Sequence, residues 1–291
     1  MATHESFDIA RQAMSLYPNA TVQRDFEGIT SDLSIVRIPA ADIAASLGWT
    51  TDSTADFTRQ SAALMIDEPG SYRFRVPDAN PNTTLVVNGF ELSACTADPV
   101  ISLAAGVHRV EITSAGELAS PSLEWVAPGG TGWTPVAPER LAQSRYLPGG
   151  LLTTHFDGVT DTTAPRFYEI DAGVDYRMHQ FVLPRPYRTQ WTGGIVPDVA
   201  GQYEISVQTD NELNLVVDGV QVLRNGPTPG QSVAVVQLDG SPVPISMEYL
   251  DRDGRSEVRL RWRLIGEEGP FTTIPSRNLV PWLETRTPPG C

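Results

Sequence analysis

The sequence predicts an all-β protein made of two tandem antiparallel β-sandwich domains, with a short helix at the N-terminus. Three observations carry this. The 291 residues suit two domains, each large enough to bury its own core. Many short alternating apolar and polar runs are separated by turns, in a chain with 24 Gly and 24 Pro. And one tight hairpin is written twice: TTLVVNGFEL at 83–92 and LNLVVDGVQV at 213–222 set Leu85 and Leu215 130 positions apart.

The elements follow in chain order. FDIARQAMSLY (7–17) places Phe7, Ala10, Met14 and Tyr17 at helical spacing and ends at Pro18. VQRDFEGIT (22–30) then aligns with LTTHFDGVT (152–160) at the same offset, matching Phe26 to Phe156 and Gly28 to Gly158. PAADIAASLG (39–48) reads as a second short helix closed by Gly48. Further on the offset drifts, as loop insertions make it do: GSY (70–72) meets GQY (201–203), SLEW (122–125) meets RLRW (259–262), and Leu141 meets Leu279. The expected organisation is an N-terminal helical segment 1–17, a first and degenerate sandwich 18–141, a second sandwich 148–280, and a tail 281–291.

Asn88-Gly89 and Asp218-Gly219 are what a two-residue type I′ turn requires, because both central residues need positive φ. That register sets Val217 opposite Val220 and Leu215 opposite Val222, and in the first copy Val87 opposite Phe90 and Leu85 opposite Leu92. EVRLRWRL (257–264) alternates Val258, Leu260, Trp262 and Leu264 against Arg259, Arg261 and Arg263.

Charge narrows the partners. The net charge is −14 and all 21 basic residues are Arg. Such an acidic surface repels phosphate backbones and anionic lipid, so neither nucleic acid nor membrane insertion is expected. Cys95 and Cys291 form no metal spacing or disulfide framework. MATHESFDIARQAM has neither a basic start nor an apolar run, so any export signal is expected outside this chain.

In its order of motifs the second copy resembles the protective-antigen-fourteen domain, a β-sandwich module of toxins, adhesins and glycosidases. The residues that carry the resemblance are GLLTTHFDG (150–158), TQWTGGIVPDVAGQYEISVQTDNELNLVVDGVQVL (189–223), VPISMEYLDRDGRSEVRLRW (243–262) and IPSRNLVPW (274–282). The first copy keeps FEG, EPGSYRF (68–74), LVVNG and SLEW but lacks the Trp-Thr-Gly element.

The resemblance implies a non-catalytic carbohydrate-binding or adhesion module. In the adhesin branch, two adjacent aspartates before the hairpin strand hold a calcium ion that ligates sugar hydroxyls. Here that step reads Asp210-Asn211, so Asp210 and Asn211 are the expected metal and glycan ligands, with calcium as the expected cofactor. Calcium wants about 6–8 oxygens with several carboxylates, and a solvated turn that starts a strand explains the same pair. In the first copy the step is PDANPN (77–82), whose only acid is Asp78. Trp191 of the Trp-Thr-Gly element is a third expected glycan-binding residue, although a core anchor is the commoner use of a large aromatic. Asp251-Arg252-Asp253-Gly254 opens like a calcium loop but has Trp262 at the twelfth position, so it reads as a hairpin turn.

For catalysis the chain offers no GxSxG, HExxH or phosphate-cradling glycine loop, and its four histidines are scattered. An extracellular or cell-surface setting is expected. The alternative is a structural subunit of a virion or surface layer, with protein neighbours as partners.

Overall fold

The computed structural model of the chain describes residues 21–24, 34–37, 47–54, 56–77, 79–94, 99–115, 122–143, 149–160, 164–176, 183–225, 230–254 and 256–288. The predicted helix 7–17 lies outside the described residues, as do Asp78, Cys95, Cys291 and most of the predicted helix 39–48. The end of that second segment is not helical: Leu47 forms a β-bridge with Ala142. Helical backbone among the described residues consists of three-residue 3₁₀ turns such as Pro138–Arg140 and Ser276–Asn278. The chain is all-β.

In chain order the strands are β1 (Thr21–Arg24), β2 (Ser34–Arg37), β3 (Thr50–Ser53), β4 (Phe57–Ile66), β5 (Gly70–Arg75), β6 (Thr84–Val87), β7 (Phe90–Glu91), β8 (Val100–Leu103), β9 (Gly106–Ala115), β10 (Glu124–Val126), β11 (Thr134–Pro135) and β12 (Leu141–Gln143). There follow β13 (Leu151–Asp157), β14 (Pro165–Asp171), β15 (Asp175–Tyr176), β16 (Tyr187–Ile195), β17 (Gly201–Thr209), β18 (Glu212–Val217), β19 (Val220–Asn225), β20 (Gly230–Leu238), β21 (Val243–Asp251), β22 (Val258–Leu264), β23 (Thr272–Thr273) and β24 (Leu279–Val280).

Two sandwiches result, and their strand orders coincide. In the first, one sheet runs β12-β4-β9-β6-β7 with β3 also on β4, and the facing sheet runs β11-β10-β5-β8. In the second, β24 and β13 share β16, which continues through β21 and β18 to β19, and the facing sheet runs β22-β17-β20 with β23 and β15 on β22. Ladder positions agree in detail: Phe74 pairs with Trp125 as Ile205 pairs with Trp262. Both sandwiches also tie a tyrosine hydroxyl to a carbonyl four residues back, Tyr72 to Glu68 at 2.7 Å and Tyr203 to Val199 at 2.9 Å.

Alternation builds the cores. Along β21, Ile245, Met247, Tyr249 and Asp251 face inward while the residues between them are half-buried or exposed. Leu85 belongs to one apolar cluster, with Tyr72, Phe74, Val87, Ile101 and Ile112. Leu215 belongs to a second, with Trp191, Ile205, Leu260 and Trp262.

Both turns take the predicted form, with φ of 48° and 80° at Asn88 and Gly89 and 51° and 73° at Asp218 and Gly219. The facing pairs beyond them need correction. The pairs next to the turns, Val217 with Val220 and Val87 with Phe90, are as predicted, but a bulge after Leu215 shifts its partner from Val222 to Leu223, and Val220 is 63% exposed. In the first sandwich β7 stops at Glu91, so Leu92 enters the core from a 3₁₀ turn instead of pairing with Leu85.

The sandwiches are joined by the β13–β14 hairpin. Leu151 and Phe167 point into the second core, whereas their neighbours Leu152 and Tyr168 point into the first. Tyr168 packs on Phe90 with ring centroids 4.7 Å apart. β14 pairs in parallel with β8 at Tyr168 and Leu103, and Ala104 N donates to Tyr168 O at 3.0 Å. One eleven-stranded sheet therefore runs through both halves. The tail closes the joint: Trp282 covers Gly89, and Arg286 exchanges backbone hydrogen bonds with Gly89 and Glu91.

Candidate functional site

At one end of the second sandwich two connections cross between the sheets side by side. Asp210-Asn211 carries the chain from β17 to β18, and residues 252–257 carry it back from β21 to β22. The predicted hairpin turn at Asp251–Gly254 is thus a sheet-to-sheet crossover, because β21 and β22 lie in opposite sheets and do not pair.

Side chains weld the two connections together. Asp210 Oδ1 accepts the Tyr249 hydroxyl at 2.8 Å and the Glu257 backbone amide at 2.8 Å. Asn211 is 2% exposed; its Nδ2 donates to Asp253 O at 2.6 Å and its Oδ1 accepts from Arg252 N at 3.4 Å. Thr209 closes the near side, with its hydroxyl on Asn211 O at 3.0 Å. Burial, and then the hydrogen bond to Asp210, push the Tyr249 phenol well above its ordinary value, so it stays a donor.

Beneath the second connection Asp251 is fully buried. Tyr187 donates to its Oδ2 at 2.5 Å, Arg185 Nε lies 2.9 Å from its Oδ1, and Ser256 adds a short contact. Burial and the bond to Asp251 keep the Tyr187 hydroxyl protonated. What remains open to solvent is the tip: Arg252, Asp253 and Gly254 are exposed, and Arg252 Nε reaches Glu212 Oε1 at 2.9 Å. Gly254 takes φ +86°, and a Cβ there would come 3.1 Å from Asp210 Oδ2.

The predicted site residues therefore separate. Asp210 and Asn211 lie together at the loop end. Trp191 does not join them: it is fully buried in the second core, its Nε1 donating to Asp171 Oδ2 at 2.6 Å, and it is closed to any ligand. Thr153 donates to the same oxygen at 2.8 Å. Burial, reinforced by the charge of Glu169, pushes the Asp171 carboxyl up to about 6 against the hydrogen bonds from Tyr176 and Trp191.

The donor set at Asp210 and Asn211 does not fit a calcium ion. One oxygen of Asp210 already takes two hydrogen bonds, and it is the amide nitrogen of Asn211, not an oxygen, that faces the Asp253 carbonyl. Among the described residues no three His, Cys, Asp or Glu side chains group as metal ligands.

Sequence reasoning missed the Asp251, Tyr187, Arg185 and Ser256 network. The signal was present in β21, where Asp251 falls on the inward side after Ile245, Met247 and Tyr249. In the first sandwich the turn at 79–83 is braced through Asn80: its Oδ1 accepts from Asn82 N at 2.8 Å, and its Nδ2 donates to Ser114 at 2.9 Å.

These features define a double β-sandwich whose second half carries a braced loop end. Residues 184–270, which span both crossovers, match the PA14 domain family. A search of curated proteins finds no match. Among solved structures, the chain is similar to an anti-sigma factor domain-containing protein from Clostridium clariflavum at 17% identity, covering 90% of this chain and 98% of that one with a TM-score of 0.43. It is also similar to a PA14 sugar-binding domain from an RTX adhesin at 15% identity, over 46% of this chain and 99% of the other, TM-score 0.38. The Epithelial Adhesin 9 A domain from Candida glabrata, solved with Galb1-3GlcNAc, aligns at 12% identity over 47% and 90% of the two chains, TM-score 0.40.

Proposed function

We propose that the chain is a non-catalytic binding module made by tandem duplication of the PA14 plan, in which the second copy recognises glycans and the first, degenerate copy supports it. The observation that carries this reading is that the PA14 match falls on 184–270, the segment holding both crossovers of the braced loop end. Loops displayed from a rigid sheet scaffold are where binding groups reside.

The exposed tip supplies suitable chemistry. Asp253 offers carboxylate oxygens and Arg252 guanidinium donors to the paired hydroxyls of a sugar ring, while Asp210, Asn211 and Tyr249 fix the tip from below. Recognition in this reading needs no metal. The setting is a cell or virion surface.

A glycan array read with and without EDTA tests it. Binding should persist in EDTA and fall at least tenfold in Asp253→Ala, with the melting temperature unchanged. Absence of glycan binding in both conditions overturns the reading; binding that appears only with calcium restores Asp210 and Asn211 as metal ligands.

A second reading, a subunit of a surface or virion assembly, is favoured by one observation: among the described residues, no strand pairs with the outer edge of β20.

A further inference from the structure

The open edge of β20 has a partner at the matching place in the first sandwich. Setting Gly70 against Gly201 in the two ladders, Leu103 corresponds to Leu238, Ile101 to Val236 and Ala104 to Asp239. β8 is thus the counterpart of β20, and β8 is covered by β14. The hairpin position that helps seal this joint differs likewise: Phe90 is 5% exposed under Tyr168, and its counterpart Val220 is 63% exposed. Among the described residues no strand pairs with the β20 edge, the surface that in the first sandwich receives β14.

The chain also carries a spare strand pair. β1 and β2 pair antiparallel, Val22 opposite Val36, as β13 and β14 pair Leu152 opposite Ile170, and the sequence offset sets Val22 against Leu152. β13 is built into its sheet through β16, but the corresponding slot on β4 is taken by β3. Among the described residues β1–β2 stands as a separate two-stranded sheet.

We propose that β20 is the docking edge for the β2 strand of a second copy of this chain, repeating between molecules the β8–β14 junction within one. The contact is head-to-tail, so it propagates into a chain or ring and does not stop at a symmetric pair. Main-chain hydrogen bonds supply the attachment, as in strand addition generally. At the internal junction Ala104 turns its amide to β14; amides alternate sides along a strand, so Gln237 and Asp239 present theirs outward on β20.

This proposal stands apart from glycan binding and is tested without sugar, by light scattering on the full chain over a concentration series. Wild type should grow beyond two chains as concentration rises. Gln237→Pro, which deletes an outward amide without touching the β17 ladder, and Val220→Lys should each remain monomeric with wild-type circular dichroism. Val36→Pro in β2, at the place of Ile170 two residues from the edge-facing Tyr168 of β14, should do the same. Mixing Gln237→Pro with Val36→Pro leaves one sound edge and one sound strand, and should give a heterodimer and nothing larger. A wild type monomeric at its highest soluble concentration overturns the proposal. So does assembly that survives both proline variants, or one that stops at a dimer.

Discussion

The two sandwiches share a strand order and differ in what fills equivalent places. On the β16 ladder Trp191 stands opposite Met247; on the β4 ladder the matching place holds Gln60, opposite Ile112. Trp191 is anchored by Asp171, whereas Gln60 is 5% exposed and its Oε1 has no hydrogen-bond partner among the described residues. The step between the sheets is welded by an acid and an amide in the second sandwich and, among the described residues, by the Asn80 amide with the Thr83 and Ser114 hydroxyls in the first. The strand plan is thus held by alternation and turn geometry, which tolerate exchange. The large anchor and the charged brace are found in the second sandwich alone among the described residues, the anchor in its core and the brace at its loop end.

The largest expected contrast is at the anchor. Trp191→Ala removes a fully buried indole and should cost about 3–5 kcal/mol, a large part of the stability of a domain. Gln60→Ala, which also removes an unpaired buried oxygen, should cost about 1 kcal/mol or less. Denaturant unfolding of the two variants measures the difference; equal losses would make the two places energetically alike.

The brace comes next. Asn211→Ala cuts both bridges to residues 252 and 253 and should destabilise by about 1–3 kcal/mol while loosening the tip. Asn80→Ala should cost less, since its turn is largely exposed. Hydrogen exchange at Arg252 and Asp253 reports the loosening.

A third contrast separates the halves by pH. In the first sandwich burial lowers the His108 pKa, with Asn88 Nδ2 2.8 Å from its Nδ1. Its neutral form is the folded one, so protonation of the unfolded chain below about 6.5 drains stability as pH falls. In the second, Asp171 is raised from 3.8 to about 6, so folding takes up a proton between those values and stability rises as pH falls. Each group contributes at most about 1.4 kcal/mol per pH unit. His108→Gln should flatten the loss on acidification and Asp171→Asn should flatten the gain, read as melting temperature between pH 7 and 4.

Much of this plan was legible in the sequence because its signals are local. Asn-Gly and Asp-Gly dictate their turns whatever surrounds them, and alternation in EVRLRWRL places Val258, Leu260 and Trp262 inward. Pairings that depend on partners were not legible. The bulge after Leu215 moves its partner from Val222 to Leu223, and nothing in VVDGVQV announces it. Asp251–Gly254 looks like a hairpin turn until β22 is known to lie in the other sheet. Trp191 carries no mark in sequence that distinguishes a core anchor from a sugar platform; the buried carboxyl of Asp171, twenty positions away, decides it. The β8–β14 junction rests on one bridge between distant segments, beyond the reach of periodicity.

The contrast between a covered edge and an open one is tested most directly by amide hydrogen exchange in a dilute, monomeric sample. Ala104, held by Tyr168 O, should exchange at close to the global unfolding rate, while its counterpart Asp239 and the adjacent outward amide of Gln237 exchange orders of magnitude faster. Equal protection at Ala104 and Asp239 in the monomer would contradict the account.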